Sequence, residues 1–338
     1  MGSPDSPRPE AHDDEPTKVN EPSAFWARLG AEHAAALRAR GPQSVKRTQA
    51  LRYFTWRWHW WRAIRGEQLR FLLAHTHPLT ALRCILTPAV LSNAAWDGVS
   101  WSISERWSYT IAVRLLWEYA RRRGDRRAIA LPEPLLGKPF PIQWNGRLVS
   151  QDLANSAIET VAIYRAVGSN PVRSVLEIGA GYGRTAYVLL SLLPDSSYTV
   201  VDIEPALSIS RWYLTSLFPR ARLRFMLPDE TATLADGSVD LAISISSLQE
   251  MTAQQVDSYI ALLARVASGG TVYLKQLAAW RNPDDGITLR FDQYPIPRDW
   301  RELYNEAAPV QTSFRQAAWR VPSGYPRPGR FDPPRGPD

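Results

Sequence analysis

Three short stretches of the chain hold residues whose types and spacing can do chemistry. The first is Val175-Leu176-Glu177-Ile178-Gly179-Ala180-Gly181-Tyr182-Gly183-Arg184, an apolar run that closes on an acid and enters three glycines at alternate positions. Glycines there let the backbone turn tightly and approach a ligand without Cβ interference. A dinucleotide fingerprint requires glycine or alanine at the sixth position of G-x-G-x-x-G, where this chain has Arg184, a side chain that obstructs close helix packing. That spacing disfavours NAD. The second stretch, Tyr198-Thr199-Val200-Val201-Asp202, ends a strand-like run on a carboxylate. Its two oxygens suit the vicinal hydroxyls of a ribose. The third, Asp236-Gly237-Ser238-Val239-Asp240-Leu241, reads as a turn leading into another strand. Met226 and Asp229 are candidates to meet a base, and a plain loop fits them equally well.

The G-x-G-x-G form after an acidic residue resembles motif I of the Rossmann-like, class I methyltransferases, whose loop cradles the aminoacyl part of S-adenosylmethionine. The resemblance implies that cofactor, with Gly179, Ala180, Gly181 and Gly183 in the cradle, Glu177 stabilising the cationic end and Asp202 on the ribose. Ile203 and Ser246 are further cofactor-binding candidates. Three further stretches go beyond the class pattern: Val149 to Ser156 with Glu159, Asp202 to Leu207, and Ser246-Ser247-Leu248-Gln249-Glu250-Met251. They resemble the sugar O-methyltransferase family of natural-product gene clusters, of the kind that decorates polyether deoxysugars. The resemblance covers roughly residues 90 to 320, and the Ser-Leu-Gln-Glu-Met element is its most specific piece. It implies methyl transfer to a hydroxyl of a sugar or glycosylated small molecule.

An alkyl hydroxyl is a poor nucleophile until a base takes its proton, so a positioned carboxylate is the expected helper. Glu250, beyond the end of the fourth predicted strand, is the first candidate; a cap on the helix beginning near Thr252 is the competing role. Asp292 is a second candidate base. Gln249, Lys275 and Tyr294 are candidate acceptor contacts by topology, with Gln276, Trp280 and Trp300 nearby. Ser150 can cap a helix on which Gln151, Asn155 and Glu159 form one polar stripe. Gln151 and Asn155 are therefore cofactor-side candidates, against the alternative of an ordinary solvated face. His75-Thr76-His77 and His59 lack a placed carboxylate, so no metal is expected. The single cysteine, Cys84, reads as a buried structural thiol and cannot form an internal disulfide.

These residues need a parallel sheet to position them. From Val172 onward short β-branched runs alternate with helical segments, the signature of βαβ units. Strands are expected at 174–178, 198–201, 223–226, 239–245 and 271–274, with helices at 185–193, 205–217 and 253–266. Residues 287–291 and 314–321 are expected to add a final antiparallel pair. The fold class is thus α/β, a mostly parallel Rossmann-like methyltransferase sheet. Before it, Trp and Leu recur at helical spacing over Trp26 to Leu37, Val45 to Leu73 and Trp107 to Tyr119. This predicts a helical accessory, or substrate-cap, region over 21–145 and a catalytic domain over 146–321, with a proline-rich connection at Pro132 to Pro141. Its tryptophans, among them Trp56, Trp58, Trp60, Trp61, Trp96, Trp101, Trp107 and Trp117, are core residues or ligand platforms. Tails over 1–20 and 322–338 are too poor in apolar anchors to order.

A chain of 338 residues can bury a large core in two domains. Its apolar runs stop well short of the roughly 20 residues that span a bilayer. The start lacks a secretory pattern, and a lone cysteine suits a reducing compartment, so the cytoplasm is expected and no membrane partner. The net charge of +7 permits attraction to nucleic acid. The dense run Arg121, Arg122, Arg123, Arg126 and Arg127 reads instead as a solvated helix end. A small molecule is the expected partner, with a homodimer compatible. Two other readings stand beside this one: an RNA methyltransferase, and a non-catalytic protein that keeps the Rossmann-like fold as an interaction surface.

Overall fold

The computed structural model describes residues 24–48, 66–88, 95–96, 99–282 and 286–324. The expected tails, apart from 322–324, and the stretch holding Trp56, Trp58, His59, Trp60 and Trp61 lie outside the described residues.

Five parallel strands form the centre: β5 (Ser174–Ile178), β6 (Ser197–Val201), β7 (Arg222–Met226), β8 (Leu241–Ile245) and β9 (Thr271–Leu277). Two small hairpins precede them, β1 (Ala95–Trp96) with β2 (Val99–Ser100), and β3 (Ile142–Trp144) with β4 (Arg147–Val149). After β9 come β10 (Ala279–Arg281), β11 (Thr288–Arg290), β12 (Arg301–Ala307) and β13 (Phe314–Arg320). The main sheet has the order β12-β13-β9-β8-β5-β6-β7, with β13 antiparallel to both its neighbours. The chain reverses direction across β5, placing a crevice outside the carboxyl ends of β5, β6 and β8.

Residues alternate between the two faces of the sheet, as the strand period requires. Leu176 and Ile178 join the apolar cluster beneath the helix Ala253–Val266, while Val175 joins the cluster on the opposite face. The expected strands are all present. The expected closing pair is different: 287–291 does not reach the sheet, because Thr288–Arg290 pairs with Ala279–Arg281 in a separate hairpin. The partner of β13 is Arg301–Ala307, whose sequence Arg-Glu-Leu-Tyr-Asn-Glu-Ala lacks a clean apolar face. It lies at the sheet edge, where charged side chains are tolerated and protect the edge from further pairing.

In chain order the helices among the described residues are α1 (Ala24–Arg40), α2 (Glu67–Ala74), α3 (Pro78–Leu86), α4 (Ile103–Arg123), α5 (Arg126–Ala130), α6 (Gln151–Val167), α7 (Arg184–Leu192), α8 (Ala206–Leu217) and α9 (Ala253–Val266). α4 begins on a capping box, with Ser102 Oγ accepting from Glu105 N and the Glu105 carboxylate accepting from Ser102 N. Its last turn carries Arg121, half exposed and paired with Glu118, as expected of a solvated helix end. Trp101, Trp117 and Trp144 are core residues. A single cluster of buried apolar side chains runs from Val45 through α4 and α6 to Ala318, so the helical region is a layer on one face of the sheet. A boundary at 145/146 falls in the Asn145-Gly146 turn of the β3–β4 hairpin. No described helix is long and apolar enough to cross a membrane.

Candidate functional site

The loop after β5 is shaped by its glycines. Gly179, Gly181 and Gly183 have φ of 74°, 60° and 96°, values that side chains resist. A Cβ on Gly179 would lie 2.0 Å from Ser247 Oγ, so only glycine lets the loops after β5 and β8 meet. Gly183 serves differently from its expected role. It is the N-cap of α7, a Cβ there would lie 2.9 Å from Leu214 Cγ, and it packs against α8 instead of lining the cavity.

A cavity of about 230 Å³ opens above this loop. Glu177, Gly179, Ala180, Gly181, Asp202 and Ile203 form its floor. Asp202 Oδ2 accepts from Gly181 N at 3.0 Å and Oδ1 from Ile203 N at 2.8 Å, so each oxygen keeps capacity for a further donor. Burial pushes its carboxyl up to about 7 against those two amides. Burial likewise raises Glu177 to about 7, although Tyr198 Oη donates to it at 2.7 Å.

α6 supplies the next wall. Ser150 caps it as expected, its Oγ accepting from Leu153 N at 3.2 Å. The residues that reach the cavity are Asp152, Asn155 and Glu159. Gln151 does not: it is buried beside the helix start, and its Oε1 has no hydrogen-bond partner. One position along a helix turns a side chain by about 100°, enough to separate the two neighbours.

Glu159 sits between two cations. Arg184 Nη1 donates to it at 2.6 Å and Lys275 Nζ at 2.7 Å. Arg184 also reaches Ser156 Oγ at 2.8 Å, and Lys275 reaches Gln311 Oε1. Burial alone would raise Glu159; the two cations outweigh it and hold the carboxyl at about 2. Burial lowers Lys275 even with Glu159 beside it, while for Arg184 the carboxylate overcomes burial and raises it. Arg184, which the glycine spacing marks only as an obstacle to a dinucleotide, is thus part of the cavity wall.

The loop after β8 forms the opposite side. Ser246 lines the cavity at φ 57°. Gln276 braces the loop from β9: its Oε1 accepts from Ser247 N at 2.9 Å and its Nε2 donates to Ser244 O at 3.1 Å. Gln249 is a second brace and not an acceptor contact. Its Nε2 donates to Ser246 Oγ at 3.2 Å, its Oε1 accepts from Leu277 N at 2.6 Å, and it does not line the cavity. Glu250 does line it, though only 5% exposed. The start of α9 is capped by Thr252 and Gln255 in a reciprocal box, so Glu250 is not needed as its cap.

Two other expected site residues do not line the cavity. Asp292 is two-thirds exposed on a short turn, paired with Arg290 at 3.2 Å, which holds it low; it is outside the cavity and poorly placed to act as a base there. Tyr294 is packed 5.3 Å from Phe291 in the apolar cluster under α9. Pro228, between Met226 and Asp229, is the residue of that stretch that meets the cavity. The cavity also takes Trp26, Gln255, Tyr259, Gln311 and Phe314, none of which the sequence reading singled out. Among the described residues no group of three His, Cys, Asp or Glu side chains is placed to hold a metal.

No family model matches the chain. It is 28% identical over 148 residues to O-methyltransferase 3 of Dictyostelium discoideum, an alignment covering 42% of this chain and 33% of that protein. The chain thus matches about a third of that relative's length. Among solved structures it is similar to the [4+2]-cyclase SpnF, at TM-score 0.42 and 16% identity over 52% of this chain and 84% of the other. An O-methyltransferase family protein from Burkholderia thailandensis is similar at TM-score 0.39 and 13% identity, over 51% of this chain and 59% of that one.

Proposed function

We propose that the chain is an S-adenosylmethionine-dependent O-methyltransferase whose acceptor is a hydroxyl of a sugar or glycosylated small molecule. The observation that carries this reading is one cavity that holds the glycine turn, Glu177 and Asp202 on one side and Glu250 on the other. The name of the Dictyostelium relative agrees with transfer to oxygen. The sugar class rests on the resemblance of 149–156, 202–207 and 246–251 to the natural-product family.

The residues fit the cofactor. Asp202 has one unsatisfied accepting direction on each oxygen for a ribose diol. Glu177, Asp202 and Asp152 concentrate acidic groups where a sulfonium and an ammonium would lie. When bound, the cofactor supplies an electrophilic methyl group. Glu250 would take the proton of the acceptor hydroxyl as its oxygen attacks. The buried setting of Glu250 keeps water from competing for that proton. The braces of Gln276 and Gln249 hold the loop that carries Glu250, which fixes its position relative to Gly179.

Calorimetric titration of S-adenosylhomocysteine into wild-type protein and Asp202→Ala, with NAD as the control ligand, tests the reading. Saturable binding that weakens in the variant is expected. Because burial pushes Asp202 up to about 7, its carboxylate gains full charge only above that pH, so affinity should rise as pH climbs from 6 to 8. Absence of binding by folded protein would leave a non-catalytic interaction protein in place of an enzyme.

A further inference from the structure

The cavity has a wall contributed from far away in the sequence. Trp26, on α1, lines it, although the glycine loop begins more than 150 residues later. α1 is set against the loop that follows Asp202: a Cβ on Gly30 would lie 3.6 Å from the Glu204 carbonyl oxygen and 3.9 Å from Pro205 Cδ. Trp26 is four residues from Gly30, about 6 Å along the helix axis. Trp26 thus lines the cavity from a helix that rests on the loop after Asp202, and Ile203 and Ala206 of that stretch line it too.

The segment after α1 is anchored to the same site. Lys46, in the turn Pro42–Arg47, is 3% exposed, with Nζ 4.2 Å from the Tyr182 ring centroid and 4.9 Å from that of Tyr213. Tyr182 lies between Gly181 and Gly183, and its Oη donates to Asp152 Oδ2 at 2.6 Å. The backbone is held as well, Lys46 N donating to Gly137 O at 3.0 Å. Residues on both sides of Gly41 are thus docked on the cofactor loops.

We propose that Trp26 is a ligand-binding residue that lays its indole against the adenine of the nucleoside cofactor, completing from the N-terminal helix a site whose floor is built by the sheet. The assignment rests on the cofactor reading above. An indole face suits a purine because both are flat and polarisable, and removing an aromatic that stacks on a base weakens its binding.

The test is calorimetry on the full chain, wild type, Trp26→Leu and Trp26→Phe, with two probes: S-adenosylhomocysteine and S-ribosylhomocysteine, which lacks the base. Leucine keeps apolar bulk and phenylalanine keeps an aromatic face, so both variants should fold, checked by unchanged unliganded melting. The expected result is a loss of roughly tenfold in S-adenosylhomocysteine affinity for leucine, within about threefold for phenylalanine, and no change for S-ribosylhomocysteine in either. Equal S-adenosylhomocysteine affinity in all three proteins overturns the proposal. So does an equal loss for both probes, which would mean that Trp26 shapes the cavity without meeting the base. Failure of the wild type to bind either probe removes the cofactor reading itself, and this assignment with it.

Discussion

Glu159→Gln should cost stability in a pH-dependent way that the geometry sets. The carboxylate is 2% exposed and bonded to Arg184 and Lys275, which hold it at about 2 against an ordinary 4.5. At about 1.4 kcal/mol for each tenfold change in acidity, that depression is about 3 kcal/mol of stability at pH 7. Removing one partner of a buried charge group costs about 3–5 kcal/mol, a consistent range. Lys275, already lowered by burial, can shed its proton in the variant and soften the loss. Because the folded value lies below the ordinary one, the contribution is present above about pH 4.5 and drains away toward pH 2. Urea unfolding followed by circular dichroism at pH 7 and pH 3 would read it. The gap between wild type and Glu159→Gln should be about 3 kcal/mol at pH 7 and narrow by about 2 kcal/mol at pH 3. A gap below about 1 kcal/mol at pH 7, or one that does not change with pH, would refute the assignment of Glu159 as a charged hub.

Glu250→Gln, assayed by radiolabelled methyl transfer to a panel of deoxysugar glycosides, should lower kcat by about 10²- to 10⁴-fold while leaving S-adenosylhomocysteine affinity within about twofold; unchanged kcat would remove Glu250 as base. Gly179→Ala should abolish S-adenosylhomocysteine binding and lower stability by about 1–3 kcal/mol in thermal unfolding, since its Cβ collides with Ser247; a variant that melts and binds like wild type would contradict the loop apposition. Cys84 is fully buried, and burial raises its thiol to about 11. It should be inert to a disulfide reagent at pH 8 in the native protein and release one equivalent on denaturation, so rapid native reaction would contradict its placement.

What was legible beforehand was what short windows of backbone encode. Alternate glycines after an apolar run require positive φ, so the turn at Gly179 to Gly183 could be read without knowing what surrounds it. The buried parallel strands announce themselves as β-branched runs, and Ser150 marks its helix through a bond three residues long. The Asn145-Gly146 hairpin carries the same kind of local signal, a pair suited to positive φ at both positions, though its strands were not among those expected. The edge strand Arg301–Ala307 shows no such signal, because half-solvated edges carry charge and blur the alternation.

Side-chain destinations belong to the tertiary structure. Helical spacing placed Gln151, Asn155 and Glu159 on one stripe, and docking of α6 on the sheet turned Asp152 inward in place of Gln151. The Ser-Leu-Gln-Glu-Met stretch holds two polar neighbours of which one braces the loop and the other faces the cavity; the Leu277 amide decides between them. Arg184, Glu159 and Lys275 come from three separate elements, and only the packing of α6 across the ends of β5 and β9 makes them one charge group. Trp26 is the extreme case, brought to the cavity by a chain segment docked through Gly30 and Lys46. Local sequence determines where the backbone must bend and cap, since those demands act over a few residues; which polar groups share a dry cavity depends on burial and charge pairing between segments that only the folded chain brings together.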